Sequence, residues 1–319
     1  MKKILIIGAG SWGTALANTL AYNNKNVFLW TKKQNVSDQI NKTKTNKKYF
    51  KKILLHKNIT SIYGKIDPKL YSVIFYVLPA KAFDKFLNNY LINNLVNNFI
   101  ICSKGLGEKG EFVSDLAKEK LIIKHLFILS GPSFADEVIL NKPTALSLAG
   151  KGQHEIIGKL FQNSNLRLYY SSHIKTLEFL GILKNIYALG AGIIDSLNLG
   201  ENAKASYLTR CLYEIKSTLK LKKLDQKQLF SLGGVGDLFL TSNSSKSRNY
   251  AFGYKLIKNK TKNTEKVTIE GLNSIFVINR NKDIDLNQLP ILKTIFNIIK
   301  GKNPQTEIEK LLKRKFRFE

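Results

Sequence analysis

Gly8-Ala9-Gly10-Ser11-Trp12-Gly13 sets three glycines at the spacing with which bare backbone cradles the phosphates of a dinucleotide. The run before it, Lys2 to Ile7, reads as a short parallel strand buried on both faces, and Thr14 to Ala21 after it reads as a helix. In that order Gly8 makes a tight turn, Gly10 lets the backbone approach a pyrophosphate, and Gly13 lets helix pack against strand. The helix start adds free N–H groups and a partial positive charge. A glycine-rich turn with no ligand is the competing reading, and the strand and helix on either side weigh against it. A second strand, Asn26 to Trp30, ends in Thr31-Lys32-Lys33. Sites selective for NAD carry an acid there for the ribose 2′-hydroxyl. Two ammonium groups in its place welcome a 2′-phosphate, so NADPH is expected, with NADH possible.

A lysine within an apolar helix is the second chemical signal. Thr176 to Leu197 is long and mostly apolar, with small residues at Gly181, Ala188, Gly190, Ala191 and Gly192 that let neighbouring helices come close. Lys184-Asn185 interrupts it. Spacing alone leaves two readings open. The stem snorkels and the ammonium reaches water, or the lysine is buried, and desolvation then lowers its pKa toward the range useful for proton transfer. The third signal is Gly233-Gly234-Val235-Gly236-Asp237-Leu238 followed by Thr241 to Asn249, a hydroxyl-rich loop that ends in Arg248 as a helix begins. Arginine offers a planar fork to phosphate, and a helix start adds backbone donors. An ordinary Ser/Asn-rich loop with an N-cap reads equally well there. His56, His125, His154 and His173 lie outside all three clusters, which disfavours a histidine-driven dehydrogenase. No metal-ligand spacing stands out, and no metal is expected.

These groups need a scaffold, and the chain has room for one. At 319 residues it suits two domains. Further strands are expected at Ser72 to Leu78, Phe99 to Ser103 and Leu126 to Leu129, with helices at Ala82 to Tyr90 and Glu111 to Lys120. Alternating strands and helices predict a parallel, doubly wound Rossmann-type sheet over residues 1–174. Helical periodicity thereafter predicts an all-α second domain over 175–319, closed by a helix after Lys302. Ligands of such sheets sit beyond the C-terminal strand ends. That directs attention to Val77-Leu78-Pro79-Ala80, Ser103-Lys104-Gly105-Leu106 and Ser130-Gly131-Pro132-Ser133-Phe134-Ala135.

Composition narrows the class. Cys102 and Cys211 stand far apart in no ligand spacing, so two core thiols in a reducing, cytoplasmic setting are expected. The formal charge of +28 is spread over scattered lysines beside Asn and Ile. The densest stretches, Lys42 to Lys52 and Lys310 to Arg317, lack the interleaved aromatics of a strand-binding platform, so no specific nucleic acid is expected. The apolar run before Gly8 is too short for a secretory core, and no stretch reaches the 18 apolar residues of a membrane span.

Taken together the segments resemble the bacterial NAD(P)-dependent glycerol-3-phosphate dehydrogenases. The matching stretches run from Gly8 to Ala17, then Ser103-Lys104-Gly105, Gly131 to Val138, and Leu183-Lys184-Asn185-Ile186-Tyr187-Ala188. Asn202-Ala203-Lys204-Ala205, Gly236-Asp237-Leu238, Ser247-Arg248-Asn249 and Glu270-Gly271 follow in the family's order. The resemblance implies reduction of dihydroxyacetone phosphate to sn-glycerol 3-phosphate for glycerophospholipid synthesis, by a homodimer. It implies that Ser11, Trp12, Lys32, Lys33, Tyr49, Ala135, Thr268 and Glu270 line the cofactor together with Gly8, Gly10 and Gly13. Lys104 would touch cofactor and substrate. Gly131, Ser133, Asp237, Ser247, Arg248 and Asn249 would hold the substrate, with Arg248 also reaching the cofactor, and Lys184 would be the acid/base.

Some positions depart from the family's usual pattern. His173 stands where Asp is usual, Leu180 and Ile182 add bulk before Lys184, Lys32 and Lys33 replace arginine or histidine, and Thr268 replaces Val. None removes a group that the reaction needs. Three rival readings remain: a two-domain reductase of a carboxylate substrate, of the ketopantoate or hydroxyacid kind; a non-catalytic NADPH-binding sensor; and, third, a basic membrane or nucleic-acid binder.

Overall fold

A computed structural model describes residues 2–258, 269–281 and 284–314. The chain divides into two compact units, Met1–Glu178 and Phe179–Glu319.

Unit 1 runs β1 (Ile4–Ile7), α1 (Ser11–Ala21), β2 (Val27–Trp30), α2 (Gln34–Thr43), β3 (Ile59–Ile62), β4 (Val73–Tyr76), α3 (Phe83–Tyr90), β5 (Leu95–Ile101), α4 (Val113–Lys120), β6 (Ile122–Ser130), α5 (Ala135–Val138), β7 (Thr144–Gly150), α6 (His154–Gly158) and β8 (Leu166–Ser171). The strands form one sheet in the order β3-β2-β1-β4-β5-β6-β7-β8. Both faces of β1 are covered, which is why it reads as an unbroken apolar run. Ile4 and Ile6 pack with Ala15, Leu16 and Leu20 of α1 in one core layer. Leu5 and Ile7 pack in the other with Phe83 and Phe86 of α3 and Val113 and Leu116 of α4.

The strands from β1 to β6 pair in parallel, as expected, but β7 pairs antiparallel with β6, and β8 runs parallel to β7. The sheet is therefore parallel only in part. A parallel return needs a long crossover, usually a helix. The link from Ser130 to Thr144 carries only the four residues of α5. β3, β7 and β8 were not among the expected strands.

Unit 2 takes most of α7 (Ile174–Ser196), then α8 (Glu201–Leu221), α9 (Asp237–Ser242), α10 (Arg248–Ile257), α11 (Glu270–Asn281), α12 (Pro290–Ile299) and α13 (Pro304–Leu312). It contains no strand among the described residues. α7 is long and apolar enough to cross a membrane, but its apolar window is wholly buried, as in a core helix. Its glycines let other helices close on it. A Cβ at Gly192 would sit 2.1 Å from the Tyr250 carbonyl oxygen, and one at Gly190 would sit 2.1 Å from the Tyr207 hydroxyl. Asp195 near the end of α7 holds Lys204 of α8 at 2.6 Å and accepts the Tyr250 hydroxyl of α10.

α4 has no cap of its own at Phe112. The buried Glu178 carboxylate of unit 1 fills that place, accepting the Ser114 N–H at 3.0 Å. Burial pushes the Glu178 carboxyl up, against the Ser114 hydrogen bond that pulls it down. A carboxyl raised on folding contributes stability that is full below the unfolded value near 4.3 and is lost as pH rises through the raised folded value. Glu178→Gln keeps an acceptor for Ser114 and cannot ionise. Its unfolding free energy is therefore expected to gain on that of the unsubstituted chain as pH rises through this window, measured by denaturant titrations at acid and neutral pH. A difference that ignores pH would count against a raised Glu178.

Candidate active site

In unit 1 the three glycines differ in what surrounds them. Gly8 follows β1 at φ 121°, in the left-handed region, with Leu78 and Val77 crowding the place of a Cβ. A Cβ at Gly13 would lie 1.9 Å from the Gly8 carbonyl oxygen, so α1 approaches the turn as closely as backbone allows. A Cβ at Gly10 would meet nothing within 4 Å. α1 starts there with no side-chain cap and no acid in its first turn. Open space, an uncapped helix start and a first turn without an acid fit a pyrophosphate. Ser11 is exposed and Trp12 half-buried at the same helix start. Gly13→Ala is expected to cost stability and weaken nucleotide binding, because the turn must open to admit the methyl. Thermal melts and fluorescence titration with NADPH would show it, and unchanged values in both would refute it.

β2 delivers Lys32 and Lys33 to the surface, both exposed, and α2 begins after Lys33 with no acid in its first turn. A basic edge with no acid in the first turn of α2 suits a ribose 2′-phosphate better than a bare 2′-hydroxyl. Tyr49 is exposed, with the Lys48 ammonium 5.2 Å from its ring centre.

At the ends of β5 and β6 two predicted residues converge on a third. The half-buried Lys104 ammonium donates to the Gly131 carbonyl at 3.0 Å, and the Ser133 hydroxyl lies 3.2 Å from the same oxygen. Gly131 has φ 149°, and Leu146 stands 3.0 Å from where a Cβ would be. Glycine is thus required for this carbonyl to face the lysine. Ala135, half-buried, opens α5 just beyond.

Unit 2 answers the question that spacing left open. Lys184 is 8% exposed, so it does not snorkel. Its ammonium lies 3.1 Å from the Asp237 carboxylate and donates to the Thr241 hydroxyl at 2.8 Å. Asp237 is 2% exposed. The Thr241 hydroxyl in turn sits 2.6 Å from the Asp237 carbonyl one helical turn back. A buried ammonium is tolerable only with such compensation, and here it has a charge and a hydroxyl.

The motif residues interlock. The Asn249 side-chain amide donates to Asn185 Oδ1 at 2.8 Å, and its carbonyl accepts the Gly271 N–H at 3.0 Å. A Cβ at Gly271 would lie 2.4 Å from the Asn185 carbonyl oxygen. Three separate motifs thus join α7, α10 and α11. Ser247 caps α10, accepting the Tyr250 N–H at 3.3 Å. Arg248 is exposed at the first position of that helix, and Glu270 is half-buried at the start of α11. Thr268 lies outside the described residues.

Thr241 and Ser242, expected in a loop, belong to α9, which extends through both. That misplacement hid the lysine's second partner. With a helix starting at Asp237, Thr241 stands four residues on and shares its face. No group of His, Cys, Asp or Glu among the described residues is arranged to hold a metal.

Two family descriptions match the chain: NAD-dependent glycerol-3-phosphate dehydrogenase N-terminus over residues 3–156, and the corresponding C-terminus over residues 173–310. The NAD(P)+ glycerol-3-phosphate dehydrogenase of Staphylococcus haemolyticus is 33% identical over 322 residues, covering 95% of this chain and 95% of its own. The crystal structure of a glycerol-3-phosphate dehydrogenase from Coxiella burnetii matches with a TM-score of 0.87 at 28% identity, over 98% of this chain and 99% of that one. One from Saccharomyces cerevisiae shares the fold, with a TM-score of 0.81 at 22% identity over 98% and 99% of the two chains.

Proposed function

Because this chain belongs to the NAD-dependent glycerol-3-phosphate dehydrogenase family, we propose that it reduces dihydroxyacetone phosphate to sn-glycerol 3-phosphate with Lys184 as the acid. It is an NAD(P)-dependent oxidoreductase, with NADPH as the expected cofactor and NADH as a possible one. The observation that carries the mechanism is the buried Lys184 ammonium, 3.1 Å from Asp237 and 2.8 Å from Thr241.

The glycine loop and the start of α1 hold the pyrophosphate, and Lys32 and Lys33 hold the 2′-phosphate. When bound, the nicotinamide supplies the hydride that reaches the ketone carbon. Negative charge grows on the carbonyl oxygen, and Lys184 Nζ stabilises it and gives it a proton, work typically worth about 10²–10⁴-fold. In the reverse direction the amine takes that proton back. Asp237 and Thr241 hold the ammonium from two sides and aim it. Lys104 contributes orientation and electrostatic support. Ser247, Arg248 and the start of α10 take the substrate phosphate, so that binding energy remote from the carbonyl positions it.

The reading includes a cytoplasmic homodimer that feeds glycerophospholipid synthesis. Buried, unpaired Cys102 and Cys211 support the reducing setting. The test is absorbance at the reduced nicotinamide band with dihydroxyacetone phosphate, set against ketopantoate and other carboxylate ketones. Oxidation confined to the phosphorylated ketone is expected. Turnover of a carboxylate alone would favour the related reductases, and tight NADPH binding with no turnover would favour a sensor.

Cofactor choice is testable on the same signal. Replacing Lys32 and Lys33 together with alanine is expected to raise KM for NADPH roughly tenfold, about 1.4 kcal/mol, and to leave KM for NADH nearly unchanged. Equal loss with both cofactors would mean that these lysines do not meet the 2′-phosphate.

A further inference from the structure

Asn46 lies in the connection between α2 and β3, outside every motif described above, and is 1% exposed. Its side-chain amide donates to the Ala9 carbonyl at 3.0 Å and to the Thr14 hydroxyl at 2.9 Å. Its own main-chain carbonyl accepts from the Tyr49 and Phe50 N–H groups at 3.0 and 2.8 Å. One residue thus ties the glycine loop to the turn that displays Tyr49.

The first of these bonds fixes a direction. In a trans peptide the C=O and the N–H point to opposite sides. With the Ala9 carbonyl drawn toward Asn46, the N–H of Gly10 is turned away from it. Gly10 stands at the start of α1 with open space about its α-carbon, where glycine would otherwise let the peptide rotate freely. We propose that Asn46 is a positioning residue for the cofactor, holding the Ala9–Gly10 peptide so that its N–H serves the pyrophosphate; this rests on the reading of the loop as the NADP(H) cradle. The bond to Thr14 anchors the amide to the first turn of α1, so loop and helix start are set together. Ordering the loop in advance removes an entropy cost that binding must otherwise meet.

The test is fluorescence titration of the full chain with NADPH, with inhibition by adenosine 2′-monophosphate as a probe that lacks the pyrophosphate. Asn46→Ala is expected to raise the NADPH Kd about tenfold, leave kcat at saturating cofactor unchanged, and leave the inhibition constant of adenosine 2′-monophosphate unchanged. Asn46→Leu fills similar space without donors and carries the same expectation should the alanine variant not fold. An unchanged NADPH Kd in either folded variant overturns the inference, as does equal weakening of both ligands, which would mark general damage to the domain. Failure of the unsubstituted chain to bind NADPH would instead overturn the functional reading, and this inference with it.

Discussion

Lys184→Met is expected to lower kcat by about 10²–10⁴-fold and to leave the NADPH Kd unchanged, because the proposed proton donor is lost and the proposed nucleotide cradle lies in other elements. The same substitution carries a second, separable effect. It takes from the Asp237 carboxylate, 2% exposed, the ammonium that stands 3.1 Å away. Removing one member of a buried pair typically costs on the order of 3–5 kcal/mol, so the melting temperature is expected to fall as well. Asp237→Asn added to Lys184→Met removes the carboxylate charge while leaving an amide for Thr241. The double variant is expected to regain most of the lost melting temperature and none of the lost kcat. Stopped-flow oxidation of NADPH and calorimetry on the single and double variants check both halves. Activity returning along with stability would show that Lys184 matters for folding only, and the acid would have to be sought elsewhere.

That pair also shows where sequence reasoning stops. β1, the glycine loop and α1 were legible because their signals are local: a four-residue apolar strand buried on both faces, glycines at fixed spacing, then helical periodicity. Two of the three unexpected strands carry weak local signals. β7 is built largely of small residues, Ala145, Ser147, Ala149 and Gly150, and β3 is only four residues long. β8 lies at the sheet edge with Tyr169 and Tyr170 exposed, so alternation was blurred. The burial of Lys184 was not legible at all, since its hydroxyl partner lies 57 residues away in sequence. Family resemblance suggested a role for the lysine and assigned Asp237 to the substrate, and only the fold pairs the ammonium with the Asp237 carboxylate and the Thr241 hydroxyl. Asn46 was lost in a basic stretch, because a side chain that orients another residue's peptide leaves no spacing signature.

Arg248→Ala is expected to raise KM for dihydroxyacetone phosphate so that kcat/KM falls by about 10²–10³-fold, with NADPH affinity changed far less. The guanidinium is exposed at the first position of α10, beside Ser247, whose oxygen caps the helix while its O–H can still donate. It is therefore available for a ligand in a way that the buried Asn249, tied to Asn185 and Gly271, is not. Hydrogen bonds to a charged partner contribute roughly 1.5–3 kcal/mol each, and a forked pair to phosphate accounts for the predicted loss. Lysine at this position would restore the charge but not the fork, so Arg248→Lys is expected to fall between the two. Unphosphorylated dihydroxyacetone provides the internal control. Its poor turnover is expected to be equal in Arg248→Ala and the unsubstituted chain, because it has no phosphate to lose. If both ketones suffer alike, Arg248 acts on the helix or the cofactor rather than on the phosphate. If neither does, the phosphate is held elsewhere, and the start of α10 is an ordinary capped helix after all.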